Sequence, residues 1–198
     1  MTKEEWETSR SAPDMLTDLH IHNPEYFKSL IPVLHRYFLA CCWKIEHLLP
    51  QKHLRNGIVG AEKWIKGEID DDELNRLNWY AEAECFAIDY AKTSDEIEEI
   101  QMLINGIEQL QGLPFDDAKN LLKRAAYFAE ISMLYPKINH APFVKSLCTS
   151  QFLCPDLLRQ FLEPNFHETP NKGSLDIDTK DSQLMTAFGK VKGPLPEL

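Results

Sequence analysis

The sequence predicts an all-α fold, arranged as a single-domain bundle of about six to eight helices with a flexible C-terminal tail. Apolar residues recur at every third or fourth position over most of the 198-residue chain, which is the period of an amphipathic helix. Residues 51–113 contain no proline, so long helices are permitted there. No run of alternating β-branched residues with a hairpin turn is present.

Two short helices and the start of a third are predicted near the N-terminus. Thr2 and Glu5 match a capping box, in which each residue bonds the backbone N–H of the other. Ser11 before Pro13 predicts the first turn of a second helix. The pair at 23–24, Asn-Pro, ends that helix and starts another. The inward residues of the second helix are predicted to be Met15, Leu16 and Leu19.

A long helix is predicted from about residue 29 to residue 49, before Pro50. Its apolar residues form one stripe at helical spacing. The stripe consists of Leu34, Phe38, Cys41, Cys42, Ile45, Leu48 and Leu49. Trp43 lies off this stripe, so it either packs against a second neighbour or is exposed.

Three helices are predicted in the centre of the chain. The first spans 51–66 and stops at Gly67. The second follows the aspartates at 70–72, which suit a helix N-terminus, and runs to about residue 91. The third begins at a capping box of Thr93 and Glu96. Its predicted inward residues are Ile97, Ile100, Ile104, Ile107 and Leu110.

The last helices are predicted from Pro114 to before Pro136, then through residues 143–147 and 155–162. The helical domain is therefore expected to span 1–164. From residue 165 to 198, prolines, glycines and small polar residues dominate, which predicts a mostly flexible tail with a short docking segment near 183–191.

The net charge of −10 is concentrated in residues 68–132, which carry 5 basic and 16 acidic residues. Such a segment repels nucleic-acid phosphate and steers a basic partner protein toward itself. The alternative is a solvated helix face that only keeps the protein soluble. The acidic residues proposed to bind a partner are Asp70, Asp71, Asp72, Glu82, Glu84, Asp95, Glu96, Glu98 and Glu99.

The expected compartment is the cytoplasm. The N-terminus carries acids where a secretory signal needs bases, and the longest apolar run, at 37–43, is too short to span a bilayer. The chain has five cysteines, an odd number with one adjacent pair, which does not resemble a disulfide framework. Reduced thiols and no membrane association are expected.

Cysteines and tryptophans are interpreted as core residues. Cys41 and Cys42 lie on the apolar stripe, where small buried thiols are common. A zinc site would need pairs two to four residues apart, and Cys148 and Cys154 are six apart. Large aromatic side chains are expected to anchor helix crossings. The four tryptophans are Trp6, Trp43, Trp64 and Trp79.

The stretch Asp18-Leu19-His20-Ile21-His22 resembles the opening of the polymerase-and-histidinol-phosphatase superfamily, whose H-x-H histidines bind metal from a strand end. On a strand, His20 and His22 would point the same way, whereas on a helix they diverge by about 200°. The helical context favours two polar residues at a helix end, and neither metal nor cofactor is expected. A metal-dependent hydrolase or metal-binding protein is the alternative function, with His35, His47 and the cysteines as further candidate ligands.

Several stretches resemble an uncharacterised family of all-helical bacterial proteins. The family has a threonine-acid-acid-tryptophan start with a Met-Leu pair, matched by "MTKEEWETSRSAPDML", and a cysteine-pair helix, matched by "RYFLACCWKIEHLL". Further matches are Ala61, Glu62, Gly67, Glu73, Leu74 and the segment "LLRQFLEPNF". Trp43 and Lys44 stand where the family has paired arginines. The resemblance implies a helical fold and no nameable activity.

The sequence therefore favours a non-enzymatic helical protein-interaction module over an enzyme. Its expected partner is another protein, of basic character, that contacts the acidic face. One form of this function is neutralisation of a basic toxin or nuclease, as small acidic immunity-type proteins do by covering a cationic active site.

Overall fold

The computed structural model describes residues 1–135, 137 and 141–162, and all regular structure in this part is helical. It contains ten α-helices, eight of them at least seven residues long, which confirms the all-α prediction. The helices are α1 (Lys3–Thr8), α2 (Ala12–His22), α3 (Pro24–Ser29), α4 (Ile31–Lys44), α5 (Lys52–Ile65), α6 (Asp71–Asp89), α7 (Ser94–Asn105), α8 (Phe115–Leu134), α9 (Ala141–Cys148) and α10 (Pro155–Phe161). The predicted tail at 165–198 and its docking segment lie outside the described residues.

Local signals set most helix ends. The Thr2 hydroxyl accepts a hydrogen bond from the Glu5 backbone at 3.1 Å, and the Glu5 carboxylate accepts one from the Thr2 backbone at 2.7 Å. The same reciprocal pair joins Thr93 and Glu96 at the start of α7. Gly67, after α5, has a φ of 72°, a left-handed conformation that favours glycine. These predicted boundaries are confirmed.

The long helix expected at 29–49 is divided in the structure. Ser29 ends α3, Pro32 lies in the first turn of α4, and a 3-10 turn follows at Glu46–Leu48. The backbone N–H of Ile45 bonds the carbonyl of Cys42 rather than that of Cys41, which tightens the last turn. All seven residues of the predicted stripe are nevertheless buried.

The centre of the bundle is formed by α5, α6 and α8, which contact one another along their lengths. Helix α8 also contacts α4, α7 and α9, and α10 packs on α4. The inward face of α8 is rich in alanine, which lets its neighbours approach closely. A Cβ atom at Gly57 on α5 would collide with Sδ of Met133 on α8, so a larger residue there would force the end of the Met133 side chain to move.

Trp43 packs against a second neighbour, one of the two alternatives that its position allowed. It is half-buried, and its Nε1 donates a hydrogen bond of 2.7 Å to Glu62 on α5. Trp6 is buried, as expected, and Trp64 is half-buried. Trp43 and Trp64 each join two helices through a side-chain hydrogen bond. None of the helices in the described part is long and apolar enough to cross a bilayer.

Two predictions about apolar side chains are wrong: that Ile97 faces inward and that Trp79 anchors a helix crossing. Ile97 on α7 is 40% exposed, although Ile100 and Ile104 on the same helix are buried. Helix α7 lies at the edge of the bundle against α8, so only a narrow stripe of it is covered. Trp79 on α6 is 65% exposed and anchors no helix crossing among the described residues.

Candidate protein-interaction surface

Three of the nine predicted acidic residues cap helices. Asp70 accepts a hydrogen bond from the backbone of Glu73 at 2.9 Å and caps α6. Glu96 accepts bonds from the backbones of Lys92 and Thr93, which holds the pKa of this carboxyl below its usual range. Glu84 accepts bonds from two backbone N–H groups at the start of α5. These carboxylates have structural roles, whatever else they bind.

Asp71 is also engaged within the fold. Its carboxylate accepts a hydrogen bond of 2.7 Å from Trp64 Nε1 and pairs with the ammonium group of Lys137. The pKa of Asp71 is lowered, most strongly by the hydrogen bond from Lys137 and next by the hydrogen bond from Trp64. Lys137 also lies 5.0 Å from the centre of the Trp64 ring, a cation–π contact. This cluster joins the start of α6 to the ends of α5 and α8.

The remaining predicted acids have no hydrogen bond or ion pair within the described part of the chain. Glu82 is half-buried on α6, and Asp72 is exposed in the first turn of that helix. Asp95, Glu98 and Glu99 are exposed on α7, and their spacing of three and four residues places them on one face. We call Asp95, Glu98 and Glu99 the acidic face of α7. It is the largest cluster of the predicted acids that is free to meet a partner.

A groove of about 340 Å³ lies between α6 and α7, next to the acidic face. Its apolar lining includes Phe86, Ala87, Ile88, Tyr90, Ala91, Ile100 and Leu103. Glu84, Glu96 and Glu99 also line it, and no lysine or arginine of the described residues does so. The groove therefore combines an apolar surface with negative charge.

The outer face of α6 is apolar and exposed. Trp79, Phe86 and Tyr90 are 65%, 41% and 62% exposed, and Ala83 between them is also exposed. The opposite face of the helix is buried against α5 and α8. Sequence reasoning identified only the buried face, although the spacing of the outer residues was equally visible.

The candidate metal ligands are not brought together. His22 is exposed at the end of α2, where Nδ1 lies 3.0 Å from an Asp18 carboxylate oxygen, while His20 is half-buried with its ring edge against Phe27. His35 is buried and its Nε2 bonds the carbonyl of Met133 at 3.2 Å. In the described ranges, no group of three or more His, Cys, Asp or Glu side chains is placed to hold a metal ion.

The buried thiols have environments that oppose reactivity. Desolvation raises the pKa of Cys41 to about 11, and it also raises the pKa of Cys42 and Cys85. Thiolate is the reactive form, so these cysteines serve as packing groups at neutral pH.

Comparison with known protein families, with curated proteins and with solved structures found no match to this chain.

Proposed function

We propose that this protein is a non-enzymatic interaction module that binds a basic partner protein through the acidic face of α7 and the adjoining groove. The observation that carries the proposal is that Asp95, Glu98 and Glu99 are exposed on one side of one helix and form no ion pair with any described residue. Uncompensated like charges repel one another, and a cationic partner would relieve that repulsion.

The groove supports a protein partner rather than a nucleic acid or an anionic metabolite. Glu84, Glu96 and Glu99 would repel phosphate or carboxylate groups. The apolar side chains beside them suit a protein surface, because interfaces combine an apolar centre with a polar rim. Neutralisation of a basic toxin or nuclease is one form of this function, since an acidic surface can cover a cationic active site.

The proposal is tested by affinity capture with three forms of the chain as bait. The wild-type chain is compared with a variant carrying Asp95→Lys, Glu98→Lys and Glu99→Lys. A matched control carries Glu7→Lys, Glu25→Lys and Glu46→Lys, three exposed acids outside α6 and α7 with the same total change of charge.

The expected result is one basic protein retained by the wild-type and control baits and lost from the α7 variant. Retention should also weaken as salt is raised, because salt screens exposed charges. Equal retention by the wild-type chain and the α7 variant would contradict the proposal.

A further inference from the structure

We infer that the partner docks as a cationic amphipathic α-helix along the outer face of α6. We call Trp79, Ala83, Phe86 and Tyr90 the α6 seam. The basic character of the partner helix rests on the proposed function, whereas its helical form is inferred from the α6 seam alone.

The spacing of the seam residues identifies the shape of the occupant. Intervals of four, three and four residues repeat the coiled-coil pattern, in which side chains of one helix fit between those of another. Ala83 stands between the bulky Trp79 and Phe86 and leaves a gap for an incoming side chain. Extended peptides present side chains at a period of two and do not match this spacing.

The seam is only partly covered in the described part of the chain: Phe86 and Tyr90 line the groove beside α7, and Phe86 is 41% exposed. A helix that is apolar on opposite faces is normally buried on both. Helix α6 buries one face with Leu74, Ala81, Cys85 and Ile88, while Trp79 and Tyr90 on the other face remain more than half exposed. Exposed aromatic rows of this kind mark interaction surfaces.

The charges beside the seam distinguish a basic helix from a second copy of this chain. Glu82 lies about 100° from Ala83 around the helix axis, and Glu96 and Glu99 of α7 line the groove beside Phe86 and Tyr90. Arg76 is the single basic residue in α6 and α7, and its guanidinium is already bound by Glu73 through bonds of 2.9 and 2.7 Å. A second α6 would bring the same acids against these, whereas lysines or arginines beside the apolar residues of a partner helix would pair with them.

The probe for this inference is a synthetic helical peptide of about three heptads, with leucine at alternating intervals of three and four and lysine elsewhere. A scrambled peptide of identical composition keeps the charge and removes the spacing. Trp79 provides the signal, because covering an exposed indole shifts its emission to shorter wavelength. The variant Trp79→Phe shows how much of the emission change comes from Trp79.

The site is tested with Ala83→Arg, which places a long charged side chain in the middle of the seam at an exposed helical position. Ile21→Arg, at an exposed position on α2, makes the same change of charge away from the seam. Circular dichroism and thermal unfolding verify that both variants are folded.

The expected result is that the wild-type chain and Ile21→Arg bind the spaced peptide with affinities within about twofold of each other. Ala83→Arg is expected to bind it at least about tenfold more weakly, as is the wild-type chain with the scrambled peptide. Equal binding of the two peptides, no binding of either, or no effect of Ala83→Arg would overturn the inference.

Two further outcomes are decisive. If the α7 triple variant loses the basic protein and Ala83→Arg retains it, the proposed function stands and the seam is wrong. If light scattering shows a dimer that Ala83→Arg dissociates, a second copy occupies the seam and the inference of a basic helix is overturned.

Discussion

The carboxylate of Glu84 on α6 lies across the first turn of α5, with Oε2 3.0 Å from the backbone nitrogen of Leu54. Oε1 lies 3.3 Å from the nitrogen of His53. Gln51, at the N-cap position of α5, makes no side-chain capping bond. The first N–H groups of a helix have no partner within the helix, so Glu84 satisfies two of them from a neighbouring element. The start of α5 therefore depends on the position of α6.

Replacing Glu84 by alanine is expected to lower the free energy of unfolding by about 1–2 kcal/mol, the usual effect of losing a helix cap. Glu99→Ala is the matched control, since Glu99 caps no helix, and it should change stability by less than about 0.5 kcal/mol. Urea unfolding followed by circular dichroism measures both. Equal effects of the two substitutions would show that the Glu84 contacts contribute nothing.

Glu130 on α8 should make stability fall as pH rises. It is half-buried and accepts a hydrogen bond from Asn78 at 3.2 Å, and desolvation raises its pKa to about 7 from 4.5. Between these two values the folded chain keeps a proton that the unfolded chain has lost. The free energy of unfolding should therefore fall through this window, by an amount on the order of 3 kcal/mol.

The variant Glu130→Gln removes this titration. Its stability relative to the wild-type chain should be more favourable at pH 8 than at pH 4.5, as measured by urea unfolding at both values. A stability difference that does not change with pH would show that Glu130 titrates normally.

His35 should make stability fall as pH falls, which is the opposite of the effect of Glu130. Burial lowers its pKa to about 4 from 6.5, against the opposing hydrogen bonds to the carbonyls of Met133 and Ser132. Between pH 6.5 and 4 the unfolded chain takes up a proton that the folded chain excludes, so this contribution to stability is lost as pH falls. The effects of His35 and Glu130 thus oppose each other over much of this range.

The variant His35→Gln keeps a donor near the Met133 carbonyl and removes the titration. Relative to the wild-type chain, it should gain stability as pH falls from 6.5 to 4, by an amount on the order of 3 kcal/mol. The same urea series measures it. If His35→Gln instead lost stability relative to the wild-type chain as pH falls, the imidazole of His35 would not be buried in its neutral form.

Cys41, Cys42 and Cys85 should resist thiol reagents in the native protein. All three are buried with raised pKa values. Cys148 and Cys154 are half-buried, although burial also raises the pKa of Cys148 to about 12. In the variant Cys148→Ser with Cys154→Ser, labelling at pH 7.5 should be slow and limited by unfolding. All three remaining thiols should react at once in denaturant. Rapid labelling of any of them in the folded chain would show that it is accessible.

Local chemistry explains which parts of the fold were predictable. The capping boxes of Thr2 and Thr93 lie within four residues of sequence, as does the glycine stop at Gly67, so the chain alone specifies these ends. The stripe on α4 was also predictable, because its residues follow one period. The break after Lys44 was not, since a 3-10 turn keeps Leu48 and Leu49 facing the core and leaves the pattern unchanged.

Long-range relationships explain what was missed. Glu84 caps a helix that begins 32 residues earlier, and no local pattern reveals that bond. Helix α6 has apolar residues on two faces, and only the packing of α5 and α8 decides that Trp79 faces outward. For the same reason, the sequence identified the acidic segment but could not separate the capping carboxylates from Asp95, Glu98 and Glu99.

The most direct test of the central claim is the dissociation constant of the captured basic partner, measured by calorimetry at several salt concentrations. We expect the wild-type chain to bind tightly at low salt and progressively more weakly as salt rises. The variant with lysines at 95, 98 and 99 should bind weakly throughout. Equal, salt-independent dissociation constants for the two chains would contradict recognition through the acidic face of α7.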